Sequence, residues 1–245
     1  MRAVRLIVGI VFAIIFSTTA DAGSAAETCL SVNEDLTLGA PLPRTAAVFK
    51  SNGPLTIVAI GSSSTVGLWM VNPAATYPEV MKRELVRLNP AAQIKIVNSG
   101  RNGDTIPGNV ARFERDVFAH KPDLVVWQLG SNDLTWAESI DSLKKKIIDG
   151  VEALRTTGAD VILMDQQYTP VILATQYSKM QSAIASVALQ NRVAFFPRFE
   201  LMHKTVQSGV TIGALSSLDG LHMSSDGYDC IGRALARAIT TAARR

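Results

Sequence analysis

The sequence predicts a three-layer α/β/α domain built on a five-stranded parallel sheet. Three observations carry this. Short apolar runs rich in β-branched residues occur five times after residue 53, each of the length expected for a strand buried on both faces. Stretches of helical spacing separate them, the alternation that a parallel sheet covered by helices requires. No Pro- or Gly-rich linker and no repeat of solenoid length interrupts the pattern. Right-handed crossovers then leave few topologies.

The chain divides into three parts. Residues 1–22 (MRAVRLIVGIVFAIIFSTTADA) combine an early Arg2 and Arg5, an apolar run of 11 residues and a small-x-small ending at Ala20-Asp21-Ala22. That is the pattern of a cleavable signal peptide, and the apolar run is short against the roughly 20 residues of a membrane span. A periplasmic or secreted protein with no stable membrane anchor after cleavage is expected. Residues 23–53 are polar and are expected to form an irregular arm on the surface. Residues 54–245 form the domain.

Within the domain, residues 55–60 (LTIVAI) read as the first strand. Tyr77–Leu88 has helical spacing and stops at Asn89-Pro90. Residues 93–97 (QIKIV) form the second strand, and residues 107–120 a helix ended by Lys121-Pro122. Residues 124–129 (LVVWQL) form the third strand, and residues 139–156 a long amphipathic helix closed by Gly158. Residues 161–164 (VILM), a helix over 176–190, a short strand at 193–196 and a closing helix over 225–243 complete the series.

Composition narrows the function classes. Hydrophobic residues make up 47% of the chain and charged residues 18%, which excludes a disordered chain. The net charge is +3 and the basic residues are scattered, so nucleic acid is not expected as a partner. The only cysteines are Cys29 and Cys230. An even count in an exported chain favours a disulfide between them. Cysteines and histidines show no metal-ligand spacing.

In parallel α/β sheets the site lies beyond the carboxyl ends of the strands, and four loops there carry chemistry. Gly61-Ser62-Ser63-Ser64-Thr65-Val66-Gly67 follows the first strand, a tight strand-to-helix turn that can expose a hydroxyl. Asn98 to Thr105 follows the second, with Gly103 just ahead of a helix start capped by Asp104 or Thr105. Gly130-Ser131-Asn132-Asp133 follows the third, and Asn132 supplies a side-chain NH₂ donor. Asp219-Gly220-Leu221-His222 precedes the last helix, with a spacing that lets the carboxylate reach and orient the imidazole. Each loop alone reads equally as an ordinary turn. Trp69, after the nucleophile turn, and Gln166 and Tyr168, after the fourth strand, are candidates for substrate contacts.

Together, in this order, the four loops resemble the four blocks of the SGNH (GDSL-type) hydrolase family, from about Leu55 to the C-terminus. The resemblance implies a flavodoxin-like sheet and hydrolysis of esters or thioesters, with no metal or organic cofactor. It places the nucleophile on Ser63, the oxyanion donors on Ser63, Gly103 and Asn132, and the remaining triad members on Asp219 and His222. One position departs from the pattern: Ser62 stands where the family has Asp. The implied partner is a small-molecule or glycan ester. An acyltransferase using the same triad on a glycan and an inactive module binding envelope polysaccharide remain alternatives.

Overall fold

The computed structural model describes residues 24–135 and 139–244. The expected signal peptide, residues 1–22, lies outside the described residues.

The elements follow in chain order: α1 (Ala25–Val32), α2 (Pro43–Ser51), β1 (Pro54–Gly61), α3 (Ser63–Val66), α4 (Tyr77–Leu88), β2 (Gln93–Gly100), α5 (Ile106–Val110), α6 (Phe113–Asp116), β3 (Leu124–Gln128), α7 (Ile140–Arg155), β4 (Asp160–Met164), α8 (Pro170–Leu173), α9 (Tyr177–Asn191), β5 (Ala194–Phe196), α10 (Arg198–Gln207), α11 (Ile212–Leu215) and α12 (Ser225–Ala242). The strands are all parallel, in the order β2-β1-β3-β4-β5. This is the flavodoxin-like arrangement, and its order reverses at β1.

Side-chain alternation along each strand divides the core in two. Leu55, Ile57 and Ala59 of β1 pack with Tyr77, Met81 and Leu85 of α4 and with Ile231, Leu235 and Ile239 of α12. Val58 and Ile60 face the opposite way, toward Leu143, Ile147 and Val151 of α7 and Met180, Ile184 and Val187 of α9. Both sheet faces are therefore covered, which is why the strands read as continuous apolar runs. Among the described residues no helix is long and apolar enough to cross a membrane.

The N-terminal arm corrects the sequence reading. Residues 23–53 were expected to be irregular, yet they carry α1 and α2. The first turn of α2 has no cap from its own preceding residue, Leu42. Its N–H groups are met instead by the Asp160 carboxylate, which accepts from Arg44 N at 3.2 Å and Thr45 N at 2.8 Å. A cap supplied from the start of β4 leaves no local signal. Further along the arm, Leu38 O accepts from Phe195 N at 2.9 Å and so covers the β5 edge. Cys29 and Cys230 are joined in a disulfide, with Cα atoms 5.9 Å apart, which ties α1 to α12.

The segment expected as one helix over 107–120 is broken into α5, α6 and a single 3₁₀ turn. The break falls at Arg112, whose guanidinium turns inward. It donates to Asp104 Oδ2 at 2.6 Å, Asp116 Oδ2 at 2.8 Å and Gly61 O at 3.0 Å. Satisfying a buried guanidinium outweighs continuing the helix here.

Candidate active site

The carboxyl ends of β1, β2 and β3 and the turn before α12 bring the four loops together. At the end of β1 the chain turns sharply into α3. Gly100, at the end of β2, permits this: a Cβ there would overlap the backbone N of Val66. Asn98 Nδ2 also donates to Thr65 O at 2.8 Å, so β2 braces the turn from the side.

The three adjacent serines separate by direction. Ser62 points inward; its N and Oγ both donate to Gln128 Oε1 at 2.9 Å, and Thr65 Oγ1 donates to the same oxygen at 3.2 Å. Ser64 is buried. Ser63 Oγ lies 2.8 Å from His222 Nε2, across 159 residues of sequence.

His222 sits on a turn closed by Ser217 N donating to His222 O at 2.8 Å and by the Ser216–Met223 bridge. Its Nδ1 lies 2.6 Å from Asp219 Oδ2. The other carboxylate oxygen, Oδ1, accepts from Ser217 Oγ at 2.6 Å and from Leu221 N and His222 N at 2.9 Å. Burial works to raise the Asp219 pKa, but the bonds from Ser217, His222 and Leu221 outweigh it and hold the carboxyl well below the usual range. Asp219 is thus a fixed anion, and Nδ1–H is the tautomer that suits it. That leaves Nε2 to accept the Ser63 hydroxyl proton.

Two backbone donors on these loops are unengaged. Ser63 is the first residue of α3, where its N–H has no intrahelical acceptor. Gly103 has φ +72°, in the left-handed region that favours glycine. Neither N–H has a partner among the described residues. Thr105 caps α5 through a 3.3 Å bond from Gly108 N, one of the two caps expected there. Asn132 Nδ2 donates one hydrogen to Asp104 O at 2.8 Å, which orients the amide and leaves its second hydrogen for a ligand. Asn132→Ala is expected to lower kcat by about 10²–10³-fold, with little change in thermal stability, as read by initial-rate kinetics and calorimetry.

A buried polar layer lies beneath these loops, and sequence reasoning missed it. Ser131 Oγ donates to Gln167 Oε1 at 2.9 Å, and Gln167 Nε2 donates to Leu221 O at 2.8 Å, one residue from His222. Arg198, fully buried, donates to Gln167 Oε1 and to Asp165 O, both at 2.9 Å. Nearby, burial pushes the Asp165 carboxyl up to about 7. A glutamine or arginine in a strand or helix gives no sequence sign of such a role.

The proposed substrate contacts fare differently. Trp69 is exposed and its indole N–H donates to Asp219 Oδ2 at 2.8 Å. Gln166 is a correction: it is fully buried and donates to Tyr177 O at 2.9 Å, so it serves the core. Tyr168 is half-buried; its ring stacks on His203 and packs edge-on against Phe199, with centroids 4.9 and 5.0 Å away. Concavities of about 930 and 620 Å³ lie elsewhere, the first lined by Asp133, Lys144 and Lys179 among others, the second by Leu38, Leu189 and Phe195 among others. No His/Cys/Asp/Glu cluster suited to a metal occurs among the described residues.

Comparison with known proteins gives the same picture. The model of a non-GDSL lipase-like family matches residues 28–245. The esterase TesA of Pseudomonas aeruginosa is 23% identical over 167 residues, 68% of this chain and 79% of that protein. Among solved structures, Axe2, an acetylxylan esterase from Geobacillus stearothermophilus, superposes with a TM-score of 0.65 at 23% identity, covering 76% of this chain and 94% of that one. A two-domain esterase active on acetylated mannans superposes with a TM-score of 0.71 at 19% identity over 84% of this chain, which spans about half (54%) of that longer protein.

Proposed function

Because the chain belongs to the non-GDSL lipase-like family, we propose that it is a serine esterase of the SGNH type, cleaving carboxylic esters through an acyl-enzyme on Ser63. The observation that carries the reading is the unbroken line Ser63 Oγ–His222 Nε2 at 2.8 Å and His222 Nδ1–Asp219 Oδ2 at 2.6 Å.

A serine hydroxyl is a weak nucleophile at neutral pH unless a base removes its proton. His222 Nε2 takes that proton as Oγ bonds to the acyl carbon. Asp219 stabilises the imidazolium that forms. Negative charge on the former carbonyl oxygen is met by the N–H groups of Ser63 and Gly103 and by the free hydrogen of Asn132. Collapse breaks the ester C–O bond, and His222 returns the proton to the leaving alcohol. Water then repeats the sequence on the acyl-enzyme, giving free acid and the original serine. Preorganised donors of this kind are each worth roughly 3–4 kcal/mol of barrier.

The substrate is an ester with a short acyl group, such as an acetylated sugar. The relatives named for acetylxylan and acetylated mannans act on esters of that kind. The Cys29–Cys230 bond suits an oxidising compartment, in keeping with export directed by residues 1–22.

The test is a series of p-nitrophenyl esters from acetyl to palmitoyl, with acetylated xylan alongside and a fluorophosphonate as active-serine probe. Turnover is expected to be highest for acetyl and to fall with chain length, with one probe adduct, on the peptide holding Ser63. An unlabelled protein that releases no acid from any of these esters overturns the reading in favour of a binding module.

A further inference from the structure

We propose that Trp69 is a positioning residue of the reaction, its indole N–H fixing the Asp219 oxygen that faces His222 and thereby setting the proton affinity of the base. The inference rests on the triad reading above and goes beyond it.

The contact is specific. Trp69 Nε1 donates to Asp219 Oδ2 at 2.8 Å, and Oδ2 is the same oxygen that meets His222 Nδ1 at 2.6 Å. The three remaining donors to the carboxylate all converge on Oδ1. Without Trp69, Oδ2 would have the imidazole as its one partner among the described residues.

The backbone at Trp69 points the same way. Among the described residues, four non-glycine residues have positive φ: Asn52, Trp69, Lys121 and Arg192. Asn52, Lys121 and Arg192 each end a helical segment, where a left-handed residue is the ordinary way to terminate it. Trp69, at φ +72°, ends none. A bulky side chain in this region is strained by about 1 kcal/mol or more. Burial of the ring does not offset it, because Trp69 is 64% exposed. The turn closed by Met70 N donating to Gly67 O at 2.9 Å places Trp69 in this conformation, and the bond to Asp219 is what its side chain gains there.

The chemistry follows from sharing one oxygen. A donor on Oδ2 withdraws part of the negative charge that faces the imidazole, so the indole and the imidazole compete for one oxygen. Trp69 thus acts through Asp219 and does not touch the reacting atoms.

The experiment replaces Trp69 with phenylalanine and, separately, with 3-benzothienylalanine, in which sulfur takes the place of the indole N–H and ring shape is kept. The full-length enzyme is assayed on p-nitrophenyl acetate across about pH 5 to 9, where the acid limb of kcat/KM reports the base. Both variants are expected to keep KM within about twofold while the acid limb moves up by about half a pH unit, a loss of about 3-fold in kcat and kcat/KM on the acid side of the limb. A benzothienyl enzyme with wild-type kcat and an unmoved limb overturns the proposal while leaving the triad intact. Lowered kcat with an unmoved limb overturns it too, since a purely structural role would do that. A wild-type enzyme that carries no fluorophosphonate on Ser63 overturns the triad reading and this inference with it.

Discussion

Ser63→Ala is expected to reduce hydrolysis of p-nitrophenyl acetate by about 10⁴–10⁶-fold and to abolish fluorophosphonate labelling, whereas Ser62→Ala and Ser64→Ala keep most of the activity. The three serines are adjacent, yet the structure gives them separate environments. Ser63 Oγ alone of the three is bonded to His222. Ser62 Oγ is committed to Gln128 Oε1, which keeps the Ser62 N–H and the Thr65 hydroxyl when that one bond is lost. Removing one of several donors costs about 1 kcal/mol of stability and leaves the nucleophile in place. Activity lost with Ser62→Ala and retained with Ser63→Ala would move the nucleophile and dismantle the mechanism.

Asp219→Asn should be nearly as severe, about 10³–10⁴-fold in kcat, for a reason specific to this turn. Three donors converge on Oδ1, so the amide oxygen of an asparagine settles there. Its NH₂ group then occupies the Oδ2 position and faces Nδ1 of His222. That forces the imidazole proton onto Nε2, aimed at Ser63 Oγ, where it cannot accept. The same NH₂ also confronts the Trp69 N–H, a donor against a donor. Fold and thermal transition should be close to wild type, which kinetics paired with calorimetry would establish. A variant within tenfold of the parent would mean that the carboxylate does not set the tautomer.

How much of this was legible in the sequence depends on the range of the interaction that fixes each feature. The five strands were readable because burial on both faces writes itself into consecutive residues, as in LTIVAI and LVVWQL. The bounds expected for Tyr77–Leu88 are those observed, since Asn89-Pro90 stops that helix locally. The four loops stood out by residue type and order, and the structure brings Ser63, Asp219 and His222 into hydrogen-bond contact. Features set at long range were not legible. The helix α2 draws its cap from Asp160, and the break at Arg112 comes from Asp104 and Gly61. Gln166 was misassigned because a loop after a strand was taken to face outward, whereas bonds to Tyr177 and from Arg198 draw that part of the loop down into the core. Trp69 was picked out as a residue that follows the Ser63 turn, but its partner lies 150 residues away.

The union of α1 with α12 bears on the order in which the molecule becomes itself. The arm rests on α10 and α12, both near the end of the chain, and its cysteine finds its mate at position 230. The imidazole that arms the nucleophile arrives just before that. A growing polypeptide therefore carries its serine for most of its synthesis with neither base nor N-terminal brace. His222 and Cys230 lie eight residues apart, so the imidazole and the anchor of the N-terminal brace emerge almost together.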